Sequence, residues 1–206
     1  MKQVDRGAYA FECYSGEDRF ASYYVQLREV FACAPSSVLE VGTGEHVLGN
    51  YLKNNTDIAY TSLDIAEDLS PDIVGDVRKL PFPDNSFDVA CAFEVLEHLP
   101  FDDFEQAIGE LMRVSKKQVI ISLPHFGPPI KFLLKVPFFP EARFAFKIPF
   151  PRKHMFNGQH YWEIGKRGYP AHRIRAILAR FGTLRKEFTP FGNQYHHFFV
   201  LEKNHA

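Results

Sequence analysis

Cysteine is scarce: Cys13, Cys33 and Cys91 are the only three in 206 residues, an odd count with no CxxC spacing. That speaks against both a disulfide framework and a cysteine-based zinc site, and the thiols are expected to be reduced, with Cys91 in the core. No stretch of about 18 consecutive apolar residues occurs, so no membrane-spanning helix is expected. Nor does the N-terminal MKQVDRGAYAFECYSGEDRF hold an apolar run of signal-peptide length, which leads us to expect a cytoplasmic protein. An excess of one charge is missing as well. A net charge of −1 and a pI near 6.8 leave no surface-wide field for a nucleic-acid backbone, so no nucleic-acid partner is expected and any basic patch is local. No GxxxxGKS or GxxxxGKT run is present, which argues against a nucleoside triphosphatase.

What is there reads as one globular unit over 1–206, with 46% hydrophobic residues and a size able to bury roughly 70% of its unfolded surface. Phe20, Tyr24, Leu27 and Phe31 recur at helical spacing across 16–33, which predicts an amphipathic leading helix broken at Pro35. Val38 to Val41 then reads as a buried strand running into Gly42-Thr43-Gly44, with a helix from His46 to Lys53. Strands follow at 58–65, 72–74, 87–93 and 119–123. Helices are expected at 101–115 and from Pro170 to Gly182, and two β-rich runs, 183–189 and 194–202, close the chain as a hairpin. Strands separated by helices imply a three-layer α/β/α sandwich around a mainly parallel sheet, with the closing hairpin adding an antiparallel strand. The stretch 126–168, rich in Pro, Phe and Lys/Arg, is too long for a plain connection and is expected to cap the active site.

The chemistry begins at the glycine turn. Glycines let the backbone approach a ligand closely, and the helix that follows offers unpaired N–H groups. Asp64, at the end of the second strand and twenty residues beyond Gly44, is placed to accept the hydroxyls of a ribose. Asp76, after the third strand, lies at the depth of an adenine.

Val38 to Gly44, Leu63-Asp64-Ile65, Gly75 to Val89 and Phe93 to Leu99 together resemble the ordered motifs of class I S-adenosylmethionine-dependent methyltransferases. More narrowly they resemble the ubiquinone-biosynthesis-like, type 11 subgroup. The resemblance implies a Rossmann-like seven-stranded sheet and S-adenosyl-L-methionine as cofactor. It places Glu40, Gly42 and Gly44 at the methionine part, Asp64 at the ribose, Asp76 and Val77 at the adenine, and Phe93 and Glu94 along the cofactor. His46 departs from the pattern, standing where many relatives carry a third small residue. Glu94 and His98 lie one helical turn apart, but in the family this run orders the cofactor side, so no metal site is assigned.

Two further regions carry the acceptor question. From 126 to 150, eight aromatic or Leu residues interleave with Lys131, Lys135, Arg143 and Lys147. This is either the packed underside of a cap or a basic, aromatic surface for a lipid-linked substrate or peripheral membrane contact. Beyond it, His160 could serve as base with Glu163 orienting it, and Trp162 could pack on substrate, unless the segment is a capping loop satisfied internally. His125, at the carboxyl edge of the fifth strand, is a further catalytic candidate and ranks above His196 and His197. The leading reading is therefore methyl transfer to a small-molecule, glycan or lipid-linked acceptor. An NAD(P)-dependent oxidoreductase would leave Glu40 and Asp76 without a role and wants a Gly or Ala at Val47; a non-catalytic cofactor-binding subunit is the other alternative.

Overall fold

The computed structural model describes Gly7 and residues 14–204; Cys13 and most of the N-terminal stretch searched for a leader lie outside the described residues. The order of elements is α1 (Glu17–Ala32), β1 (Ser37–Val41), α2 (Val47–Asn55), β2 (Ala59–Asp64), β3 (Ile73–Val74), β4 (Phe87–Phe93), α3 (Phe104–Val114), β5 (Ser115–Pro124), β6 (Pro129–Leu134), β7 (Ala142–Lys147), α4 (Ala171–Leu178), β8 (Thr183–Phe188) and β9 (His196–Glu202). Seven strands form one sheet in the order β3-β2-β1-β4-β5-β9-β8. The first five are parallel, and β9 runs antiparallel to both β5 and β8. This is the α/β/α sandwich with a closing hairpin that the pattern of apolar runs predicts.

Strand periodicity divides the core in two. Val89, Cys91 and Phe93 of β4 point to the face covered by α1 and α2, where Val25, Val30, Leu48 and Leu52 meet them. Ala90 and Ala92 point to the other face, where Phe104, Ile108 and Leu111 of α3 and Ile174, Ile177 and Leu178 of α4 pack with Trp162. Burying each Leu, Ile or Phe stabilises by about 1.5–3 kcal/mol, so both faces are needed. Among the described residues no helix is long and apolar enough to cross a membrane.

Two expectations are corrected. The aromatic stripe of α1 does not face the sheet: Phe20, Tyr24 and Phe31 are exposed, and the buried stripe is Ser22, Val25, Gln26, Glu29 and Val30. The reason is a polar contact that helical periodicity does not show. Buried Glu29 accepts hydrogen bonds from Lys186 of β8 at 2.7 Å and from Arg28 at 2.8 Å, and this pairing turns its face of the helix inward. Nor do the aromatics of 126–150 pack under a cap. β6 and β7 form a separate two-stranded sheet with Phe132 opposite Phe144, and Phe132, Leu133, Phe144 and Phe146 all stand exposed.

Candidate active site

A cavity of about 280 Å³ opens at the carboxyl ends of β1, β2 and β4, where adjacent crossovers leave in opposite directions. Gly42, Gly44, Asp64, Asp76, Val77, Phe93 and Glu94 all line it. The turn is built from contacts only glycine permits. Gly42 has φ 82°, donates its N–H to Leu63 O at 2.8 Å, and a Cβ there would fall 2.2 Å from Val95 Cγ2. His46 fits the turn after all: it adopts the left-handed φ of 59°, and its Nε2 sits 2.5 Å from Leu69 O. A carbonyl only accepts, so Nε2 carries the proton.

Asp64 braces the turn as well as facing the cavity. Its Oδ2 accepts from Thr43 N at 2.9 Å and its Oδ1 from Ala66 N at 2.8 Å. Asp76 is clamped by Arg78, which donates from Nε at 3.0 Å and Nη2 at 2.6 Å and holds the carboxyl below its usual range. Glu40 departs from expectation. It is buried, absent from the cavity wall, and accepts from the Tyr60 hydroxyl across the β1–β2 pair. Burial pushes its carboxyl up to about 8. It therefore ties two strands together beneath the glycine turn.

Beyond Glu94 the cavity continues along His98, Pro100 and Tyr161, with Tyr14 on its rim. Glu94 holds a left-handed φ of 53°, strained for a side chain of this size, and burial raises its carboxyl to about 8. The segment after the β6–β7 hairpin returns to this edge: Ile164 N donates to Pro124 O, and Tyr161 N donates to Glu97 O at 2.9 Å. His160 and Glu163 are thereby joined, Nδ1 to Oε1 at 3.3 Å. His160 does not itself line the cavity. It lies edge-to-face with His98, ring centroids 5.0 Å apart, and His98 is the imidazole on the wall. Burial, then the nearby His160, lowers His98 to about 4.

Trp162 is a core residue, corrected from the substrate-packing expectation. It is fully buried, packs edge-on against Phe101 and Phe104, and donates from Nε1 to Leu99 O at 3.1 Å. His125 faces elsewhere too: it lines a second hollow with Lys131, Lys147 and Tyr195, its Nδ1 2.9 Å from that of His197. The histidine of the hairpin that does approach the cavity is His196, whose Nε2 lies 3.6 Å from Glu94 Oε2. Sequence reading ranked these two the other way, because it could not tell which face of β9 meets the end of β4. Tyr14 and Tyr161 carry no pattern that would have marked them.

A strand–glycine turn–helix at the switch of a 3-2-1-4-5 sheet, with acidic residues ending the next two strands, defines a Rossmann-like α/β architecture with its cavity at the carboxyl edge. Residues 39–123 match the family model described as "Methyltransferase domain". No curated protein sequence matches the chain. Among solved structures it is similar to the 1,6-didemethyltoxoflavin-N1-methyltransferase of Burkholderia thailandensis with bound 1,6-didemethyltoxoflavin and S-adenosylhomocysteine (13% identity, 97% of this chain and 85% of that one, TM-score 0.63). It is also similar to an S-adenosylmethionine-dependent methyltransferase of Clostridium acetobutylicum (8% identity, 96% of each chain, TM-score 0.61). A third is magnesium protoporphyrin IX methyltransferase of Synechocystis with bound S-adenosylmethionine (15% identity, 91% and 80%, TM-score 0.58). At these identities the likeness is one of fold. The matched domain, which covers 39–123, and the order of motifs point to the class I S-adenosylmethionine-dependent methyltransferases, a family whose cofactor is S-adenosylmethionine. Gly42, Asp64 and Asp76, which line the cavity at the ends of successive strands, fit that group.

Proposed function

We propose that the chain methylates a small-molecule acceptor whose nucleophilic atom is presented beside Glu94, His98 and Tyr161. The observation that carries this reading is the continuity of the cavity from the glycine turn to those three side chains. When bound, S-adenosylmethionine supplies an electrophilic methyl on a sulfonium, transferred by in-line displacement. The chain's share is alignment: the Gly42 turn and Asp64 hold one partner, while the strained Glu94 and the wall at His98 orient the other. Incubating the purified chain with labelled S-adenosylmethionine and fractionated cell extract should place label in the small-molecule or lipid pool. Label confined to macromolecules would refute this. Asp64→Ala should weaken binding of the demethylated cofactor by about 1–3 kcal/mol in calorimetry, since it removes an acceptor that also braces the turn.

A second reading, that the acceptor is lipid-linked and the chain touches an anionic membrane, is favoured by the β6–β7 hairpin. It exposes Ile130, Phe132, Leu134 and Phe144, with Phe138 fully exposed between the strands, beside Lys131, Lys135 and Arg143.

A further inference from the structure

We propose that Glu97, His98 and His160 form a binding site for a divalent transition-metal ion at the wall of the acceptor cavity, with coordination positions left open toward it. One ligand atom from each of the three lies within 4.8 Å of the others. Donors about 2.1 Å from a shared ion stand roughly 3–4 Å apart, and His160 Nε2 and Glu97 Oε1 are already 3.9 Å apart. That distance is too long for a hydrogen bond and right for two ligands of one ion.

Glu97 supplies the independent observation. It is fully buried, and among the described residues neither carboxylate oxygen accepts a hydrogen bond. A buried carboxyl whose two oxygens accept no hydrogen bond lacks the polar partners such groups ordinarily have, and an ion shared with His160 would supply one. Both imidazoles are turned to serve. His98 Nδ1 lies 3.1 Å from the carbonyl of Gln159, which can only accept, so Nδ1 carries the proton and Nε2 the lone pair. His160 Nδ1 meets Glu163 Oε1 at 3.3 Å, which by the same logic directs its Nε2 lone pair toward Glu97. A metal-binding histidine characteristically donates its other N–H to a carbonyl or carboxylate, and both do so here. The segment that returns at Tyr161 completes the set, because its N–H donates to Glu97 O and brings His160 beside Glu97 and His98, which the sequence places 63 and 62 residues earlier.

Two imidazoles and one carboxylate suit zinc, iron, cobalt or manganese and disfavour calcium, which prefers an all-oxygen set. Three protein donors leave at least one position open, and His98 carries the site to the cavity wall, where an oxygen of the acceptor can occupy it. The inference thus rests on the reading that the acceptor binds beside His98 and Tyr161, and it deepens that reading to acceptors with a coordinating oxygen.

The test uses the full chain stripped with a chelator and titrated with Co²⁺, read by visible absorption, with Zn²⁺ as competitor and calorimetric binding of S-adenosylhomocysteine measured in parallel. One equivalent of Co²⁺ with absorption from nitrogen and oxygen ligands, displaced by Zn²⁺, is expected. Glu97→Gln and His160→Gln should abolish it, and Glu163→Gln, which touches the ion only through His160, should weaken it about 10–100-fold. Circular dichroism checks that each variant is folded, and the wild-type titration decides the matter where one is not. A wild-type chain that binds S-adenosylhomocysteine but takes up no stoichiometric Co²⁺ overturns the ion site and leaves the methyltransferase reading standing. Unchanged Co²⁺ binding in folded Glu97→Gln and His160→Gln overturns it equally. If Co²⁺ binds and S-adenosylhomocysteine does not, it is the cofactor reading that falls.

Discussion

At the scale of single residues, the turn at Gly42 shows how a backbone angle and a packing contact combine. Alanine there would hold a left-handed φ, costing roughly 1–2 kcal/mol, and would drive its Cβ into Val95. We expect Gly42→Ala to lower unfolding free energy by about 2 kcal/mol or more and to weaken cofactor binding with it. Adding Val95→Ala should recover the steric part and leave the backbone part. Denaturant titration and calorimetry on the two variants separate these contributions, and a double variant no better than the single one would show that the clash is not the cause. Glu94 stores similar strain on the opposite wall, but its side chain faces the cavity, so there strain and function meet in one residue.

At the scale of elements, β1 and β4 are locked together at the edge remote from the cavity. Asp88 Oδ2 accepts from Ser36 N at 2.8 Å, Ser36 Oγ at 2.9 Å and Lys117 Nζ at 3.0 Å, while Asp88 N–H donates to Ser37 Oγ. These bonds outweigh the cost of burial and bring the Asp88 carboxyl down to about 2, below its value near 4 in an unfolded chain. A depressed folded value means that the stabilisation is complete above about pH 4 and is lost as pH falls toward about 2, a contribution on the order of 2 kcal/mol. Wild type should therefore exceed Asp88→Asn in stability at neutral pH, with the gap narrowing as pH drops through that window. Urea midpoints at a series of pH values measure it; a gap of constant size would mean that charge is not the source. The hydrogen bonds of Glu40 to Tyr60 and of Lys186 to Glu29 serve the same end, since each joins two elements through a buried carboxylate.

Across the whole molecule, the two ends of the sheet divide the labour: Asp88 and Ser36 hold the amino edge, and the carboxyl edge carries the cavity. The β6–β7 hairpin stands apart from both, joined through Lys131 to Gly192 O and through Lys147 to His125 O. Because its apolar side chains are exposed, replacing Phe132, Phe138 and Phe144 by Ser should leave thermal stability nearly unchanged while reducing retention on anionic liposomes. Lys131→Glu with Lys135→Glu should weaken the same retention, more strongly at low salt. Absence of wild-type retention at low salt would end the membrane reading.

The strand and helix sequence of the sandwich, the glycine turn and the acidic strand ends were legible without coordinates, because they are written in local periodicity and in short contiguous motifs. Gly42, Asp64, Asp76 and Phe93 reach the cavity simply by ending strands of one parallel sheet. What tertiary structure alone decided is every relation between distant segments. The exposed aromatic stripe of α1 follows from a carboxylate pairing with β8; Trp162 is core because the returning chain meets α3; Glu40 faces Tyr60 and is absent from the cavity wall. The cluster of Glu97, His98 and His160 is of the same kind, since it exists only where the segment at 160–164 docks on the end of β5. Period and spacing determine which face a residue takes within its own element, but the partner that face meets depends on loop closure over tens of residues, which no local pattern encodes.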